Sequence, residues 1–462
     1  MAAAQAGTSK VNVGRVAFTS LAASSIEWYD FFIYGTAAAL VFPKLFFPGS
    51  GFAQIASYST FAVGFIARPV GGVIFGHFGD RVGRKRALVT ALMIMGLATT
   101  GIGLLPGYAV IGPLAPILLV LLRFAQGLAV GGQWGGAALL AIENAPKHKR
   151  GFYGSFTQLG VPVGLVLGNL IFLAMGGSVA PEAFAAWGWR IPFLMSMLLV
   201  GLGLYVQLKL EDTADYQAMQ AQEADAQAKA VKALAAEKAV SLDKARAILR
   251  AEKTSPILQV LAKHPKEILL AAGSFVAANG TFYLMITYAI GYATKVVHLD
   301  RTTVLWAVVL GSVLAAPSLL ILSALSDRFG RRGIFLIGAL ACGLWAFPFF
   351  SLLNAGSFPL LVLAIFVGGV ANDCMYGPQA ALMTELFSTE FRYSGASLGY
   401  QIGAIFGGGF APIIAEALYT QYKTSMPISI YWAALCAVSF LSIVILGETY
   451  KREHRVAEKA AA

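Results

Sequence analysis

The sequence predicts an all-α polytopic membrane protein with twelve transmembrane helices in two six-helix bundles. Hydrophobic residues make up 58% of the 462 residues and charged residues only 12%, a composition far too apolar for an ordinary soluble domain. The apolar stretches are helix-length and rich in glycine, unlike the short alternating segments of an outer-membrane barrel. Two loops with the same motif occupy corresponding places in the two halves of the chain.

Runs of about 20 apolar residues mark the predicted helices, because an α-helix of that length crosses the hydrocarbon core of a bilayer. The runs cover 16–42, 54–77, 87–106, 113–142, 154–176 and 190–209 in the first half, and 267–292, 302–325, 334–354, 357–385, 393–419 and 427–447 in the second. The predicted domains are therefore an N-terminal tail (1–15), a first bundle (16–209), a linker (210–265), a second bundle (266–447) and a C-terminal tail (448–462).

The distribution of basic residues predicts the orientation in the membrane. Lysines and arginines concentrate in the loops on one side of the predicted helices and are sparse on the other. The positive-inside rule makes the basic side cytoplasmic, and both termini lie on that side. The net charge of +11 is therefore better explained by topology than by nucleic-acid binding. The polar N-terminal stretch does not resemble a cleaved signal peptide.

The linker has a different composition, rich in Ala, Glu, Lys and Gln. Its apolar residues recur at helical spacing, which predicts one or two amphipathic helices. We interpret the linker as a solvated segment along the cytoplasmic face, with a binding or regulatory module as the alternative.

The repeated loop motif relates the two halves. The sequence Asp-Arg-x-Gly-Arg begins at Asp80 and again at Asp327, 247 residues later (327 minus 80). Parallel repeats of six helices are typical of transporters whose substrate site lies between the bundles near the bilayer midplane.

Charged side chains inside the predicted helices indicate where that site lies. Glu27 and Asp30 are three residues apart and so share one face of the first helix. The helical rise places them about 17 and 21 Å into a core about 30 Å thick, and Arg123 of the fourth helix about 15 Å deep. Because charge at that depth is costly, we expect Arg123 to pair with one carboxylate or with a substrate anion that competes for it. The alternative is a permanent ion pair that only holds two helices together.

Further polar residues are candidates with less distinctive signals. Asp373 is the third candidate for proton coupling, since it lies in the tenth helix, the counterpart of the fourth. Arg68 lies about 13 Å into the second helix and suits packing, gating or substrate contact. The other candidates for substrate binding would equally form interhelical hydrogen bonds. They are Gln126, Gln133, Gln158, Tyr283, Asn372, Tyr376 and Gln401.

The repeated loop resembles the signature of the major facilitator superfamily. Residues 26–31, 67–72, 123–132 and 391–398 are similar to the metabolite:proton symporter branch of that superfamily. The resemblance implies proton-driven uptake of small metabolites, mostly organic acids such as 2-oxoglutarate, citrate, shikimate and aromatic acids, and in a side group zwitterionic osmolytes. The branch usually has a glutamate where this chain has Gln133, so coupling would depend on Glu27 or Asp30, or be lost.

The resemblance also implies a gate made of the loop charges, which would hold the cytoplasmic side shut. The alternative is that these charges are fixed by topology alone. The residues concerned are Asp80, Arg81, Arg84 and Glu143 in the first half, and Asp327, Arg328, Arg331 and Glu385 in the second.

Together these observations predict a proton-coupled symporter for a small organic anion in the inner membrane of a bacterium. A symporter of zwitterionic osmolytes such as proline or betaine is the alternative, and a membrane-embedded sensor or enzyme is a remote one. The sequence shows no Walker loop, zinc-ligand spacing or nucleophile elbow, so we expect neither a cofactor nor enzymatic activity. The expected partners are the substrate, protons and the lipid bilayer, without nucleic acid, and the protein is expected to act as a monomer.

Overall fold

The computed structural model describes residues 13–82, 84–143, 149–211, 225, 228–253, 263–387 and 392–448. Twelve long helices, α1 to α12, account for most of these residues. The first six are α1 Val13–Leu40, α2 Ala53–Val82, α3 Arg84–Leu104, α4 Leu114–Glu143, α5 Arg150–Ser178 and α6 Ile191–Glu211. The second six are α7 Pro265–Lys295, α8 Arg301–Phe329, α9 Arg331–Asn354, α10 Phe358–Leu386, α11 (Arg392–Ala404, Ile405–Gly409 and Ala411–Tyr422) and α12 Met426–Leu446.

The prediction of twelve helices in an all-α fold is confirmed. Within the described residues, nine helices are long and apolar enough to span a membrane. Several helices extend beyond the predicted apolar runs, because polar residues at their ends continue or cap them. Asp300, for example, caps α8 by accepting hydrogen bonds from the backbone N–H groups of Thr302 at 2.9 Å and Thr303 at 3.3 Å. Short helices at Phe42–Phe46, Tyr108–Ile111 and Pro181–Ala186 lie in the connections.

The helices of each half pack mainly with one another. In the first half α1 packs on α5, and α4 packs on α2 and α3; in the second half α10 packs on α8 and α9, and α7 packs on α11 and α12. The halves meet where α5 contacts α8 and α10, where α2 contacts α11, and where α1 contacts α7. The candidate site lies between these contacts. The linker contains the helix Leu242–Lys253, and its cytoplasmic position stays a prediction.

Glycines bring α2 and α4 into backbone contact. A Cβ atom on Gly71 of α2 would lie 1.9 Å from the carbonyl oxygen of Leu128, and a Cβ on Gly131 of α4 would lie 1.9 Å from that of Arg68. Small residues at such positions let membrane helices approach closely. The contact places the α2 and α4 segments that carry Arg68 and Arg123 side by side.

We expect Gly71→Ala to destabilise the protein, because its methyl group would have to push the two backbones apart. Overpacking of this kind costs about 1–3 kcal/mol. The measurement is the thermal unfolding midpoint of purified protein in detergent. Gly72→Ala is the matched control, since its Cβ would lie 3.4 Å from the nearest atom, the carbonyl oxygen of Gly131. Equal midpoints for the two variants would contradict close α2–α4 packing.

Two π-helical turns interrupt the second half, at Leu284–Tyr288 in α7 and at Ile405–Gly409 in α11. A Cβ on Gly408 would lie 2.7 Å from the ring of Phe65 and 2.8 Å from that of Tyr283, so this turn allows α11 to reach both rings. π-helical turns are frequent at functional sites. Sequence periodicity did not predict them, because one extra residue in a turn barely changes the apolar pattern.

Candidate functional site

Arg123 lies fully buried on α4 among aromatic rings. Its Cζ atom is 4.2 Å from the ring centroid of Phe31, 4.0 Å from that of Tyr34 and 5.0 Å from that of Phe61. Gly64 of α2 leaves room for the guanidinium group, since a Cβ there would lie 2.5 Å from Nε. Within the described residues, Nε and Nη2 have no hydrogen-bond partner. The aromatic faces therefore stabilise the charge by cation–π contact but leave two N–H donors unused.

A chain of hydrogen bonds connects Arg123 to Asp30. The Nη1 atom of Arg123 donates to Oε1 of Gln126, and Nε2 of Gln126 donates to the hydroxyl of Thr99 at 2.8 Å. That hydroxyl lies 3.2 Å from Oδ2 of Asp30 and 2.8 Å from the carbonyl oxygen of Met95, and its single proton bonds one of them at a time. Two neutral side chains, Gln126 and Thr99, thus connect Arg123 to Asp30.

The sequence predicted that Arg123 pairs with Glu27 or Asp30, or with a substrate anion that competes for it. Among the described residues, neither Glu27 nor Asp30 forms an ion pair within 4.0 Å of Arg123. The rings hold the guanidinium group in place, and Gln126 occupies the intervening space. The sequence gives the position of each residue along its helix, but it does not show that Gln126 lies between Arg123 and Asp30.

Arg68 is the second buried arginine, with 1% of its surface exposed. Its Cζ atom lies 5.3 Å from the ring of Trp28, 4.3 Å from that of Phe31 and 4.7 Å from that of Phe65. In the described part of the chain, its Nε and Nη2 atoms also lack hydrogen-bond partners. Phe31 therefore contacts both guanidinium groups.

Glu27 and Asp30 present further unsatisfied atoms on α1. Asp30 is buried and Glu27 is half-buried. Oε1 of Glu27 and Oδ1 of Asp30 are buried and have no hydrogen-bond partner among the described residues. Buried polar atoms are nearly always satisfied in proteins, so a cluster of exceptions indicates a site for a ligand, a proton or ordered water.

A cavity of about 20 Å³ lies between the halves. A volume of this size holds about one water molecule, so the halves would have to move apart to admit a substrate. The first half contributes Trp28 and Val161 to its lining. The second half contributes Phe275, Ala278, Asn279, Phe282, Tyr283, Asn372, Tyr376 and Tyr400.

Three of the predicted binding residues, Tyr283, Asn372 and Tyr376, line this cavity. Gln158 of α5 connects the halves beside it, since its Nε2 atom donates to the carbonyl oxygen of Tyr376 at 2.8 Å. The hydroxyl of Thr281 lies 3.0 Å from Oδ1 of Asn372 and 2.8 Å from the carbonyl oxygen of Ala277, and its single proton bonds one of them at a time.

The structure places three other predicted residues away from the cavity or outside the described residues. Asp373 lies on the face of α10 that meets α8, where the hydroxyl of Ser318 donates to its Oδ2 atom at 2.6 Å. It is rotated by about 100° around the helix from Asn372, and its role in proton coupling stays a prediction. Gln401 is buried on α11 but is not part of the cavity lining. The side chain of Gln133 lies outside the described part of the structure.

The predicted gate of the second half forms an ion network at the end where α8 meets α9, which we term the motif end. Arg331 is fully buried, and its Nη2 atom lies 2.7 Å from Oδ1 of Asp327 and 3.3 Å from Oε1 of Glu385. Its Nη1 atom donates to the hydroxyl of Ser326 at 2.7 Å. The network joins the ends of α8, α9 and α10.

Asp327 also connects the two halves. Its carboxylate accepts hydrogen bonds from the backbone N–H groups of Gly151 and Phe152, both at 2.9 Å. These donors belong to the first turn of α5, where N–H groups are unpaired within the helix and the helix dipole favours an anion. One carboxylate therefore holds the motif end of α8 against α5.

The other predicted gating residues lie outside this network or outside the described residues. Arg328 is exposed, and its Cζ atom lies 5.4 Å from the ring of its neighbour Phe329, so it stands outside the ion network. Sequence reasoning missed Glu448, which caps α9 by accepting from the N–H groups of Arg331 and Arg332, each at 3.2 Å. The side chains of Asp80, Arg81, Arg84 and Glu143 lie outside the described residues.

Contacts at the opposite end also join the halves. Lys295 of α7 donates a hydrogen bond to Oε1 of Gln54 of α2. The rings of Tyr58 and Tyr288 are 6.3 Å apart. Nearer the cavity, Tyr283 packs on Phe65 with a centroid distance of 5.2 Å. The halves thus touch at both ends, and the cavity lies between these contacts.

A twelve-helix fold with buried charges and a cavity between two halves defines a secondary membrane transporter. The chain belongs to the sugar (and other) transporter family of the major facilitator superfamily, whose sequence model matches residues 16–458. This confirms the predicted superfamily and multi-pass membrane protein. Because the family consists of transporters, it also confirms that the protein is not an enzyme.

The most similar sequences include two from Escherichia coli (strain K12). The chain is 39% identical over 441 residues to a protein named shikimate transporter, with 95% of each chain covered. It is 40% identical over 443 residues to the inner membrane metabolite transport protein YhjE, with 94% of each covered. A proline/betaine transporter of Salmonella typhimurium is 32% identical over 445 residues, which cover 95% of this chain and 84% of that protein.

A solved transporter structure has the same fold as this chain. The xylose transporter XylE from E. coli, in a partially occluded inward open conformation, matches with a TM-score of 0.69 and 17% identity, covering 95% of this chain and 98% of its own.

Proposed function

We propose that this protein takes up a small organic anion together with protons, by alternating access. One observation carries the proposal: two buried guanidinium groups and two carboxyl groups, all with unsatisfied atoms among the described residues, lie near a small cavity between the two halves. A substrate carboxylate would accept hydrogen bonds from the unused N–H donors.

The cavity lining supports a substrate that combines a ring or apolar body with a carboxylate. Six of its ten residues are aromatic, and aromatic side chains bind flat or apolar groups well. Asn279 and Asn372 add carboxamides that suit hydroxyl groups. The relative named shikimate transporter supports the same class of substrate.

Proton coupling would use the carboxyl groups of α1. A charged carboxylate at this depth is costly, and taking up a proton removes that charge. Oδ2 of Asp30 lies 3.2 Å from the hydroxyl of Thr99, and Oδ1 has no partner among the described residues. With Gln133 in place of the usual glutamate, Asp30 is the leading candidate and Glu27 the second.

In this proposal the protein acts as a monomer in the inner membrane of a bacterium, with both termini and the linker in the cytoplasm. The motif end then faces the cytoplasm, and the network of Asp327, Arg331 and Glu385 closes that side. The excess of basic residues at the motif end supports this orientation.

A symporter of zwitterionic osmolytes is the second candidate. Relatives with 32% identity are named proline/betaine transporters, and an aromatic cavity also suits a quaternary ammonium group. The two arginines favour the anion, because positive charge near the cavity opposes a cationic head group.

The test is transport by purified protein in liposomes that contain a pH-sensitive dye. Shikimate, 3,4-dihydroxybenzoate, citrate, 2-oxoglutarate, proline and glycine betaine are added outside, one at a time. We expect at least one carboxylate to bring protons into the vesicles and the two osmolytes to bring none. Proton entry with glycine betaine or proline alone would favour the second candidate, and substrate entry without protons would exclude symport.

A further inference from the structure

The two buried arginines, neither of which lines the cavity, differ in their contacts with the residues that do. Trp28 lines the cavity and its ring contacts Arg68. The rings of Phe31, Tyr34 and Phe61 surround Arg123, and none of these three is among the lining residues. Among the described cation–π contacts, Arg68 therefore touches a lining residue directly and Arg123 does not.

The hydrogen bonds of the two arginines also differ. The Nε and Nη2 atoms of Arg68 have no hydrogen-bond partner among the described residues. Arg123 donates through Nη1 to Gln126, the first member of the chain that connects it to Asp30.

We infer that Arg68 binds the substrate carboxylate and that Arg123 is a positioning residue for Asp30. This inference rests on the proposed function and deepens it by assigning separate roles to the two arginines. The unsatisfied Nε and Nη2 atoms of Arg68, defined over the described residues, form the edge of a guanidinium group that suits a carboxylate. The Trp28 ring beside them would contact the apolar body of the substrate.

The test compares binding and uphill uptake in two variants of the full-length protein, Arg68→Gln and Arg123→Gln. Binding of shikimate, 3,4-dihydroxybenzoate and citrate is measured by the increase of the thermal unfolding midpoint, because a ligand stabilises the state that it binds. We expect Arg68→Gln to raise the Kd of the bound carboxylate roughly 10- to 100-fold, the effect of losing a hydrogen bond to a charged group. Arg123→Gln should keep the Kd within about threefold and lose uphill, proton-driven uptake.

Controls separate these roles from loss of structure. Arg190→Gln removes a guanidinium group that donates to the carbonyl oxygens of Gly103 and Leu105. None of these residues lines the cavity, so this variant should leave the Kd unchanged. Should Arg68→Gln fail to fold, Arg68→Lys takes its place, since it keeps the charge but loses the planar edge. The midpoint without ligand reports folding in every variant.

The outcomes are distinguishable. If Arg123→Gln loses binding while Arg68→Gln retains it, the assignment of roles is overturned and the proposed function stands. If both variants lose binding equally, the division of roles is also overturned. If wild-type protein binds none of the three carboxylates and transports none, the proposed function fails and the inference fails with it. Rescue of binding by Arg68→Lys to the wild-type Kd would contradict recognition by the guanidinium edge.

Discussion

The Asp30→Asn variant is expected to exchange substrate across the membrane but to lose uphill accumulation driven by protons. Asparagine keeps an oxygen that can accept from Thr99, so the chain of hydrogen bonds from Arg123 through Gln126 survives. It cannot take up the proton. A difference of one pH unit stores about 1.4 kcal/mol per proton, or tenfold accumulation, and we expect the variant to lose all of it. The measurement is the ratio of internal to external substrate in liposomes with an imposed pH difference.

Asp373→Asn is the matched control for this prediction. It makes the same chemical change in another carboxylate of a predicted transmembrane helix, but Asp373 bonds Ser318 between α8 and α10 and does not line the cavity. We expect its accumulation ratio to equal that of wild-type protein. Loss of accumulation in Asp373→Asn with full accumulation in Asp30→Asn would place proton coupling between α8 and α10 instead. Glu27→Gln shows whether the second carboxylate of α1 shares the task.

Much of the fold was predictable because membrane insertion imposes strong rules on sequence. Each of the twelve helices needs about 20 apolar residues, and the repeated Asp-Arg loops at Asp80 and Asp327 relate the two halves. The π-helical turns at Leu284–Tyr288 and Ile405–Gly409 were not predictable. Their position depends on contacts between helices, such as that of Gly408 with Phe65, which leave no periodic trace.

The charged residues of the candidate site could be identified from the sequence, but the neighbours that each one contacts could not. Charge in an apolar helix identified Asp30 and Arg123, because its cost makes an accidental occurrence rare. The same reasoning made Asp373 a candidate for proton coupling, and the structure places it against Ser318 of α8. Thr99 was missed, since a threonine that bonds its own helix backbone looks unremarkable in sequence. The aromatic rings around the two arginines were not predicted, because which ring meets which arginine depends on tertiary packing.

The residues of the gate also show which contacts the sequence does not predict. The loop charges Asp327, Arg331 and Glu385 were identified by resemblance, and they do form one network. Arg328 belongs to the same loop motif, but its side chain is exposed. Consecutive residues at a helix end face different directions, so membership of the motif does not place a residue in the network. Glu448, more than 100 residues from Arg331 in sequence, completes the network by capping α9.

Asp327→Asn is expected to shift the protein toward a state that is open at the motif end. The carboxylate accepts two hydrogen bonds from the first turn of α5 and pairs with Arg331. An asparagine oxygen can keep one of the bonds to α5 without the charge. Hydrogen bonds to charged groups contribute about 1.5–3 kcal/mol, so the ratio of open to closed protein should rise roughly 10- to 100-fold. Transport then slows, because the closed state must form in every cycle of alternating access.

The measurement is the distance between spin labels attached to cysteines at positions 149 and 329, both exposed residues flanking the α5–α8 contact. In Asp327→Asn the distribution of distances should gain a longer component that is weak in wild-type protein. Arg328→Gln, which removes a neighbouring charge outside the network, should keep the wild-type distribution. The same longer component in both variants would mean that net charge at the motif end controls opening. No change in Asp327→Asn would mean that α5 and α8 are held by packing. Only a shift confined to Asp327→Asn would show that the Asp327 carboxylate stabilises the closed state. That carboxylate bonds the first turn of α5, where the helix dipole favours a negative charge.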